Sequence, residues 1–238
     1  SHPIWRNESV CLKCTKQLVK LANATKKDIH ILHITTAEEI ELLNKNKKFI
    51  SYEVTPQHLV LSSPSCYNKL GTLAQMNPAI RSSRHQNRLR KALKNNEIDI
   101  IGSDHAPHTL SEKKQKYPDS PSGMPGVQTL MPLLLNEVSK KTISITNVVE
   151  LTSFNPIKRF KVKDKGLIKE GYDADFTFVD LSMTKKISNK LIKSKCGWTP
   201  FHGMEVTGWP VGTMINGNKV FWNEKIIGKP IGKPVKFN

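Results

Sequence analysis

Two histidines and an aspartate stand close together in the segment 103–108 (SDHAPH), directly after the apolar run 97–103 (EIDIIGS). Asp104 would follow a buried strand, and His105 and His108 come within four residues of it. An aspartate can ligate a divalent metal ion, and it can also accept and return a proton. Parallel α/β folds carry their catalytic groups at the carboxyl ends of strands. The segment therefore predicts a metal-dependent or acid–base site at this strand end.

A third histidine, His33, ends another short apolar run, 27–33 (KDIHILH). If both runs are strands of one parallel sheet, His33 and Asp104 point into the same mouth, and imidazole and carboxylate together suit Zn²⁺. Each residue also has a structural alternative. A strand-end Asp-His pair can cap the following loop, and His33 can be a hydrogen-bonded core histidine.

The elements that must position these residues alternate between helix and strand. Thr36 and Glu39 have the spacing of a capping box, which marks a helix start. A helical stripe of apolar residues predicts a helix at 8–25, the capping box predicts one at 36–44, and a basic helix is predicted at 82–95; strands are predicted at 27–33, 49–55 and 97–103. Strands separated by helices indicate parallel βαβ units, so the fold class is α/β. Long connections at 59–81 and 105–126 would lie where such folds keep their active sites.

The sequence changes character after about residue 161. Helices are predicted at 126–138 and 146–155, and strand-and-turn patterns follow at 166–180 and 204–229. Turns are predicted at Gly208, at 216–218 and at 223–224. We therefore predict two domains, 1–162 and 163–238, of which the second is a small β unit.

Composition excludes several classes of function. The formal net charge is +17, but the 37 basic residues are mostly lysines spread along the chain, without a nucleic-acid motif. No apolar run approaches the ~20 residues that span a bilayer. Four unevenly spaced cysteines do not make a disulfide framework. We expect a cytoplasmic protein with neither nucleic acid nor membrane as its partner.

The segment 104–108 (DHAPH) resembles the dihydroorotase signature within the amidohydrolase superfamily. Five further segments resemble that family in the same order: 32–38 (LHITTAE), 52–59 (YEVTPQHL), 76–81 (MNPAIR), 123–134 (GMPGVQTLMPLL) and 166–176 (GLIKEGYDADF). Gln57 departs from the family, in which many members have histidine at that position. The resemblance covers essentially the whole chain and implies the last part of a TIM-type (β/α)8 barrel, about three βα units, followed by a β-sandwich tail.

The resemblance also implies roles for single residues. His33 would ligate one of two zinc ions, and Asp104 would ligate the other and move the proton. Asn77 and His108 would hold the substrate, with backbone groups near Pro125 and Gly126 helping. The reaction would interconvert dihydroorotate and N-carbamoyl-aspartate, a step of pyrimidine synthesis. The complete enzyme is expected to be a homo-oligomer that acts on a small molecule.

Parts of the family's site have no counterpart in this sequence. The family begins its site with a His-x-His pair and a nearby arginine, and adds a bridging carboxylate and another histidine. None of these can be assigned here, and two ligands do not make a zinc site. We therefore expect this chain to be the C-terminal part of a longer enzyme and to be inactive alone. The alternatives are another cyclic amidase, such as an allantoinase or hydantoinase, and a non-catalytic dihydroorotase-like scaffold subunit.

Overall fold

Three short parallel strands form the sheet that carries the predicted site. In the computed structural model, which describes residues 1–238, β1 (Ile29–Ile31), β2 (Ile50–Val54) and β3 (Ile100–Ile101) pair in the order β1-β2-β3. Ile29 lies opposite Ile50, and Glu53 lies opposite Ile100. The predicted α/β class with parallel strands is confirmed.

Helices make the crossovers between these strands and continue beyond them. The α-helices are α1 (His2–Trp5), α2 (Glu8–Thr25), α3 (Ala37–Asn44), α4 (Pro56–Val60), α5 (Ser65–Leu70), α6 (Ser83–Lys94), α7 (Leu110–Lys113), α8 (Leu130–Ser139), α9 (Ile145–Val149) and α10 (Asn155–Phe160). Short 3₁₀ turns lie at Gly71–Ala74 and Asn189–Leu191, and a π-turn lies at Glu150–Phe154. None of the helices combines the length and the apolar character that a bilayer crossing requires.

Helix α3 starts with the predicted capping box. The Glu39 N–H donates to Thr36 Oγ1 at 3.1 Å, and the Thr36 N–H donates to Glu39 Oε2 at 3.0 Å. Glu39 is itself buried, and it accepts a further hydrogen bond at 2.7 Å from the Thr15 hydroxyl on α2. One carboxylate therefore caps α3 and also joins it to α2, beside the end of β1.

A compact unit formed by residues 1–130 and 187–204 contains the parallel sheet. β2 runs through its middle, with Ile50, Tyr52 and Val54 buried. Apolar side chains from α3 and α6 are also buried in this unit: Ile40, Leu43, Leu89, Ala92 and Leu93. The helices predicted at 36–44 and 82–95 are thus confirmed, and each buries one apolar face.

The second compact unit contains residues 131–186 and 205–238. Its sheet is antiparallel, in the order β4 (Phe176–Lys186), β5 (Glu205–Ile215), β6 (Asn218–Trp222) and β7 (Lys225–Ile226). The turns predicted at Asn216-Gly217 and Asn223-Glu224 are confirmed, and all four residues have positive φ. The domain boundary near residue 162 remains a prediction.

Gly208 was predicted to form a turn, and this prediction is wrong. Gly208 lies inside β5 with φ +99°, and a Cβ placed on it would lie 2.5 Å from Leu135 Cβ. Glycine is needed here because β5 packs directly against α8, not because the chain reverses. The strand predicted near 166 also does not form, since the first strand of this sheet begins at Phe176.

Replacing Glu39 tests the capping network. We expect Glu39→Ala to lower the free energy of unfolding by about 3 kcal/mol, because it leaves a buried hydroxyl and backbone N–H groups without acceptors. Glu41→Ala is the matched control, since it removes an exposed ion pair with Arg88 and should cost less than about 1 kcal/mol. Urea denaturation measures both, and equal costs would contradict the proposed role of Glu39.

Candidate active site

His33 and Asp104 follow β1 and β3 at the same edge of the parallel sheet. Both have left-handed backbone, with φ 42° at His33 and φ 41° at Asp104. For residues other than glycine this conformation is uncommon, and it costs on the order of 1–3 kcal/mol. Such strain persists where the surrounding structure imposes it, and it concentrates at functional sites. The two residues selected from the sequence are therefore also backbone outliers.

Backbone hydrogen bonds hold both strand ends against β2. The N–H of Ile34 donates to the Glu53 carbonyl at 2.8 Å, and the N–H of Gly102 donates to the Val54 carbonyl at 3.1 Å. Parallel pairing therefore continues past the last residues of β1 and β3. It places His33 and Asp104 on either side of the end of β2.

The pKa of the Asp104 carboxyl responds to burial and to the charges of His33 and Glu53. Burial raises the pKa of Asp104 above its ordinary value, the Glu53 carboxylate raises it further, and His33 opposes both effects. Asp104 therefore lies within electrostatic range of His33 and of Glu53. The expectation that His33 and Asp104 face the same edge of the sheet is consistent with this geometry. Their functional roles remain a proposal.

Glu53 was not selected from the sequence as a functional residue. Its carboxylate lies 3.3 Å from His30 Nε2, and His30 Nδ1 lies 2.8 Å from Ser51 Oγ. A Cβ at residue 102 would lie 2.4 Å from Glu53 Oε1, so the glycine there leaves room for the carboxylate. The available signal was a charged residue in the central strand between the buried residues Tyr52 and Val54, which points to a partnered or functional group.

Asn77 and His108 lie in the two long connections. Asn77 is exposed and precedes Pro78 through a cis peptide bond, and His108 Nε2 donates to the Ser122 carbonyl at 3.2 Å. No hydrogen bond or ion pair joins either residue to His33 or Asp104. Their assignment to substrate remains a proposal.

His58 holds the connection that carries Asn77. Its Nε2–H donates to the Pro78 carbonyl at 3.0 Å, so its Nδ1 accepts from the Thr55 hydroxyl at 2.8 Å. The pKa of His58 is lowered to about 3, chiefly by burial; the Pro78 hydrogen bond opposes the shift, and the positive charges at His33 and Arg81 add to it. His58 is therefore a neutral imidazole with one defined tautomer, which sequence reasoning placed in a motif without assigning it a task.

His105 holds the second connection. Its Nδ1 accepts hydrogen bonds from the backbone N–H groups of Gly126 at 3.1 Å and Val127 at 3.4 Å. The resemblance implied that backbone groups near Pro125 and Gly126 contact substrate, yet the Gly126 N–H is already donated to His105. The loop after β3 is thereby folded back onto the residue beside Asp104.

Gln57 lies on α4, directly after β2, and contacts the same strand end. Its side-chain amide donates to the Ser103 carbonyl at 2.9 Å, and the residue is fully buried. Gly126 lies so close that a Cβ there would be 2.3 Å from the Ser103 oxygen and 2.6 Å from Gln57 Nε2. The amide therefore restrains the residue immediately before Asp104.

The donor set of this chain fits part of a zinc site. An imidazole and a carboxylate are ordinary zinc ligands, but structural and catalytic sites use at least three protein ligands. Among residues 1–238, no group of three or more His, Cys, Asp or Glu side chains is arranged to hold a metal ion. His33 and Asp104 would therefore need ligands from elsewhere to hold zinc.

Comparison with known sequences identifies the relatives of this chain. A family model described as the Amidohydrolase family matches residues 9–220. Dihydroorotase from Pyrococcus furiosus is 38% identical over 225 residues, which cover 94% of this chain and 52% of that protein. Dihydroorotase from Methanosphaera stadtmanae is 37% identical over 209 residues, which cover 87% of this chain and 48% of that protein. The chain thus spans about half the length of the curated relatives it matches.

Solved structures agree on the fold. L-hydantoinase (dihydropyrimidinase) from Arthrobacter aurescens superposes with a TM-score of 0.87 at 27% identity, over 92% of this chain and 50% of that one. D-hydantoinase (dihydropyrimidinase) from a Thermus species gives a TM-score of 0.88 at 24% identity, over 94% of this chain and 51% of that one, and so speaks for the fold alone.

The buried neutral state of His58 predicts a pH dependence of stability. Because its folded pKa is lower than the ordinary value of 6.5, the unfolded chain binds the extra proton first as pH falls below about 6.5. Stability should therefore decrease from pH 6.5 toward pH 4, by up to about 1.4 kcal/mol per pH unit from this group. His58→Gln should make that slope shallower in urea titrations, whereas the exposed control His202→Gln should leave it unchanged. Equal slopes in both variants would contradict the assignment.

Proposed function

Since this chain belongs to the amidohydrolase family, we propose that the polypeptide containing it is a dihydroorotase. The enzyme would open the cyclic amide of dihydroorotate with water and give N-carbamoyl-aspartate, reversibly, in pyrimidine biosynthesis. The observation that supports this most is the pairing of His33 and Asp104 on strained backbone at one edge of the parallel sheet. The chain supplies half of the length of its relatives, so the activity belongs to the whole polypeptide.

Asp104 is the proposed proton carrier. In the forward direction a water oxygen forms a bond to the ring carbonyl carbon and gives its proton to the Asp104 carboxylate. The C–N bond then breaks, and the same carboxyl returns the proton to the leaving nitrogen. A pKa raised by burial and by Glu53 supports this role, because it brings the carboxyl closer to the working pH while His33 keeps it ionisable.

Zinc is the proposed cofactor, with His33 and Asp104 among its ligands and further ligands supplied by other residues of the polypeptide. When bound, zinc lowers the pKa of a coordinated water to about 7 and polarises a carbonyl group. The residues of this chain supply orientation. The left-handed backbone and the β2 hydrogen bonds direct both side chains toward the same edge of the sheet.

Asn77 and His108 are the proposed substrate-binding residues. The Asn77 amide can donate to the carboxylate or a ring carbonyl of dihydroorotate, and His108, whose Nε2–H is used by Ser122, can accept from a ring N–H through Nδ1. Asn77 is exposed on a connection that His58 fixes, and His108 is oriented by the Ser122 carbonyl. Fixed donors on loops above a parallel sheet are the usual way to select a small polar substrate.

Dihydroorotate is preferred over other cyclic amides because of the residues after Asp104. The segment Ala106-Pro107-His108 resembles dihydroorotases more than hydantoinases or allantoinases, which usually vary there. The curated relatives reported above are both dihydroorotases, and the hydantoinase structures share the fold at lower identity. A hydantoinase-like or allantoinase-like activity is the second candidate.

The wider setting follows from the same proposal. Residues 1–162 would be the last three βα units of a TIM-type barrel, and residues 163–238 would belong to a β-sandwich. The complete protein would act in the cytoplasm as a homo-oligomer on a small-molecule substrate. A non-catalytic scaffold role remains the alternative of a different class, and it has no use for the strain at His33 and Asp104.

Neutralising Asp104 tests the proposal. In the longest natural polypeptide that contains this chain, Asp104→Asn should reduce dihydroorotate turnover at least about 10³-fold, because the proton carrier is lost. Asp119→Asn is the matched control, an exposed aspartate in the loop that follows, and should keep normal turnover. Loss of absorbance of dihydroorotate measures both. Near-normal turnover by Asp104→Asn would remove Asp104 from the mechanism, and turnover of allantoin or hydantoin instead would favour the second candidate.

The ligand count makes a separate prediction about zinc. The 238-residue chain alone should retain less than one equivalent of zinc after dialysis, because its two candidate ligands are fewer than the three that zinc sites use. The polypeptide that contains it should retain one or two equivalents and lose turnover when treated with a chelator. Metal analysis by mass spectrometry decides the matter, and tight stoichiometric zinc in the isolated chain would show that the ligand assignment is incomplete.

A further inference from the structure

Lys113 is fully buried although it carries a charged side chain. It is the last residue of α7, and its Nζ donates to the carbonyl of Gln75 at 2.8 Å and to the carbonyl of Pro121 at 2.7 Å. No carboxylate pairs with it, and burial alone lowers its pKa to about 8. At neutral pH it is therefore an ammonium ion held by backbone carbonyls.

An unpaired buried ammonium is an unfavourable way to fill space. Moving a charge out of water is strongly unfavourable unless the surrounding dipoles compensate for it, and an apolar side chain of the same volume fills a core at lower cost. The two carbonyls gain strong charge-assisted hydrogen bonds in return. Lys113 therefore contributes mainly by linking two backbone carbonyls. The segments to which these carbonyls belong indicate its role.

The two carbonyls belong to the segments that present the proposed substrate groups. Gln75 stands two residues before Asn77 in the connection after β2. Pro121 stands next to Ser122, whose carbonyl accepts the hydrogen bond from His108. Lys113 itself lies five residues after His108. A single cation therefore contacts one connection near Asn77 and the other beside the acceptor that orients His108.

Other polar contacts hold the same segments together without Lys113. The Gly123 N–H donates to the Gln75 carbonyl at 2.9 Å. The Gln75 side-chain amide donates to the Ser120 carbonyl at 2.6 Å and lies 3.3 Å from Ser122 Oγ. The Ser120 hydroxyl donates to the Lys113 carbonyl at 3.1 Å. These bonds keep the segments folded as neighbours, so the lysine side chain adds a fixed spacing to an association that already exists.

We propose that Lys113 is a positioning residue that sets the distance between Asn77 and His108, so that both can bind one dihydroorotate molecule. This inference rests on the proposed function, because it assumes that these two residues hold the substrate. Lys113 does not touch the reacting atoms. Its effect should appear in substrate affinity, because Asn77 and His108 bind the ground state and the transition state alike.

Lys113→Met tests the role, since methionine has a similar volume but no N–H donor. In the longest natural polypeptide that contains the chain, KM for dihydroorotate should rise about tenfold while kcat changes less than about threefold. Amide hydrogen exchange should become faster in 72–77 and 118–123. The neighbouring exposed lysine gives the control, because Lys114→Met should leave KM, kcat and exchange unchanged. A normal KM with normal exchange, or a fall in kcat alone, overturns the proposal.

Lys113→Gln covers the case in which the methionine variant does not fold. Glutamine keeps N–H donors but is shorter than lysine, so it can reach one carbonyl and should raise KM by a smaller factor. A wild-type KM and wild-type exchange in this variant would overturn the role of the lysine. Hydrogen exchange also separates the two proposals. If the unaltered polypeptide does not turn over dihydroorotate, the proposed function fails, and unchanged exchange in Lys113→Met would overturn the positioning role by itself.

Discussion

The parallel register of β1, β2 and β3 is the constraint on which the rest of the site depends. It directs all three strands toward one edge, and the hydrogen bonds from Ile34 and Gly102 to β2 extend the pairing past the ends of the outer strands. Because of that extension, His33 and Asp104 are held in an unfavourable backbone conformation beside Glu53. Glycine at 102 leaves the room that the Glu53 carboxylate occupies. The placement of His33, Glu53, Gly102 and Asp104 thus depends on how the outer strands pair with β2.

Local signals in the sequence predicted the frame well. Helix α2 was found from its apolar stripe and the start of α3 from its capping box, because both signals lie within the element itself. His33 and Asp104 were found because each follows an apolar run directly. Glu53 and His58 were not assigned roles, because their partners lie on other segments and no local pattern identifies them. Gly208 was misinterpreted for the same reason, since its close neighbour is Leu135 on another element.

In and beside the two long connections, side chains donate the hydrogen bonds that backbone N–H groups would donate in a sheet. Irregular chain that is buried leaves carbonyl groups without N–H partners, and each must find a donor. Here long polar side chains are the donors: His58 donates to the Pro78 carbonyl, Lys113 to the Pro121 carbonyl, and Gln57 to the Ser103 carbonyl just before the second connection. Such a core is specific, because each donor side chain must reach particular carbonyl groups. It is also sensitive to mutation. Removing a donor leaves a buried carbonyl without a hydrogen bond, whereas removing an apolar side chain leaves no polar group unsatisfied.

The backbone strain at His33 and Asp104 has a consequence for protein engineering. Glycine, and to a lesser degree asparagine, accepts a left-handed conformation at little cost. A library screened only for heat resistance would therefore enrich these residues at both positions and discard the chemical groups with the strain. Under the proposed function, selection for thermostability would therefore act against activity at these two positions. Stabilising designs should hold residues 33 and 104 fixed and seek their gains on the exposed faces of the helices.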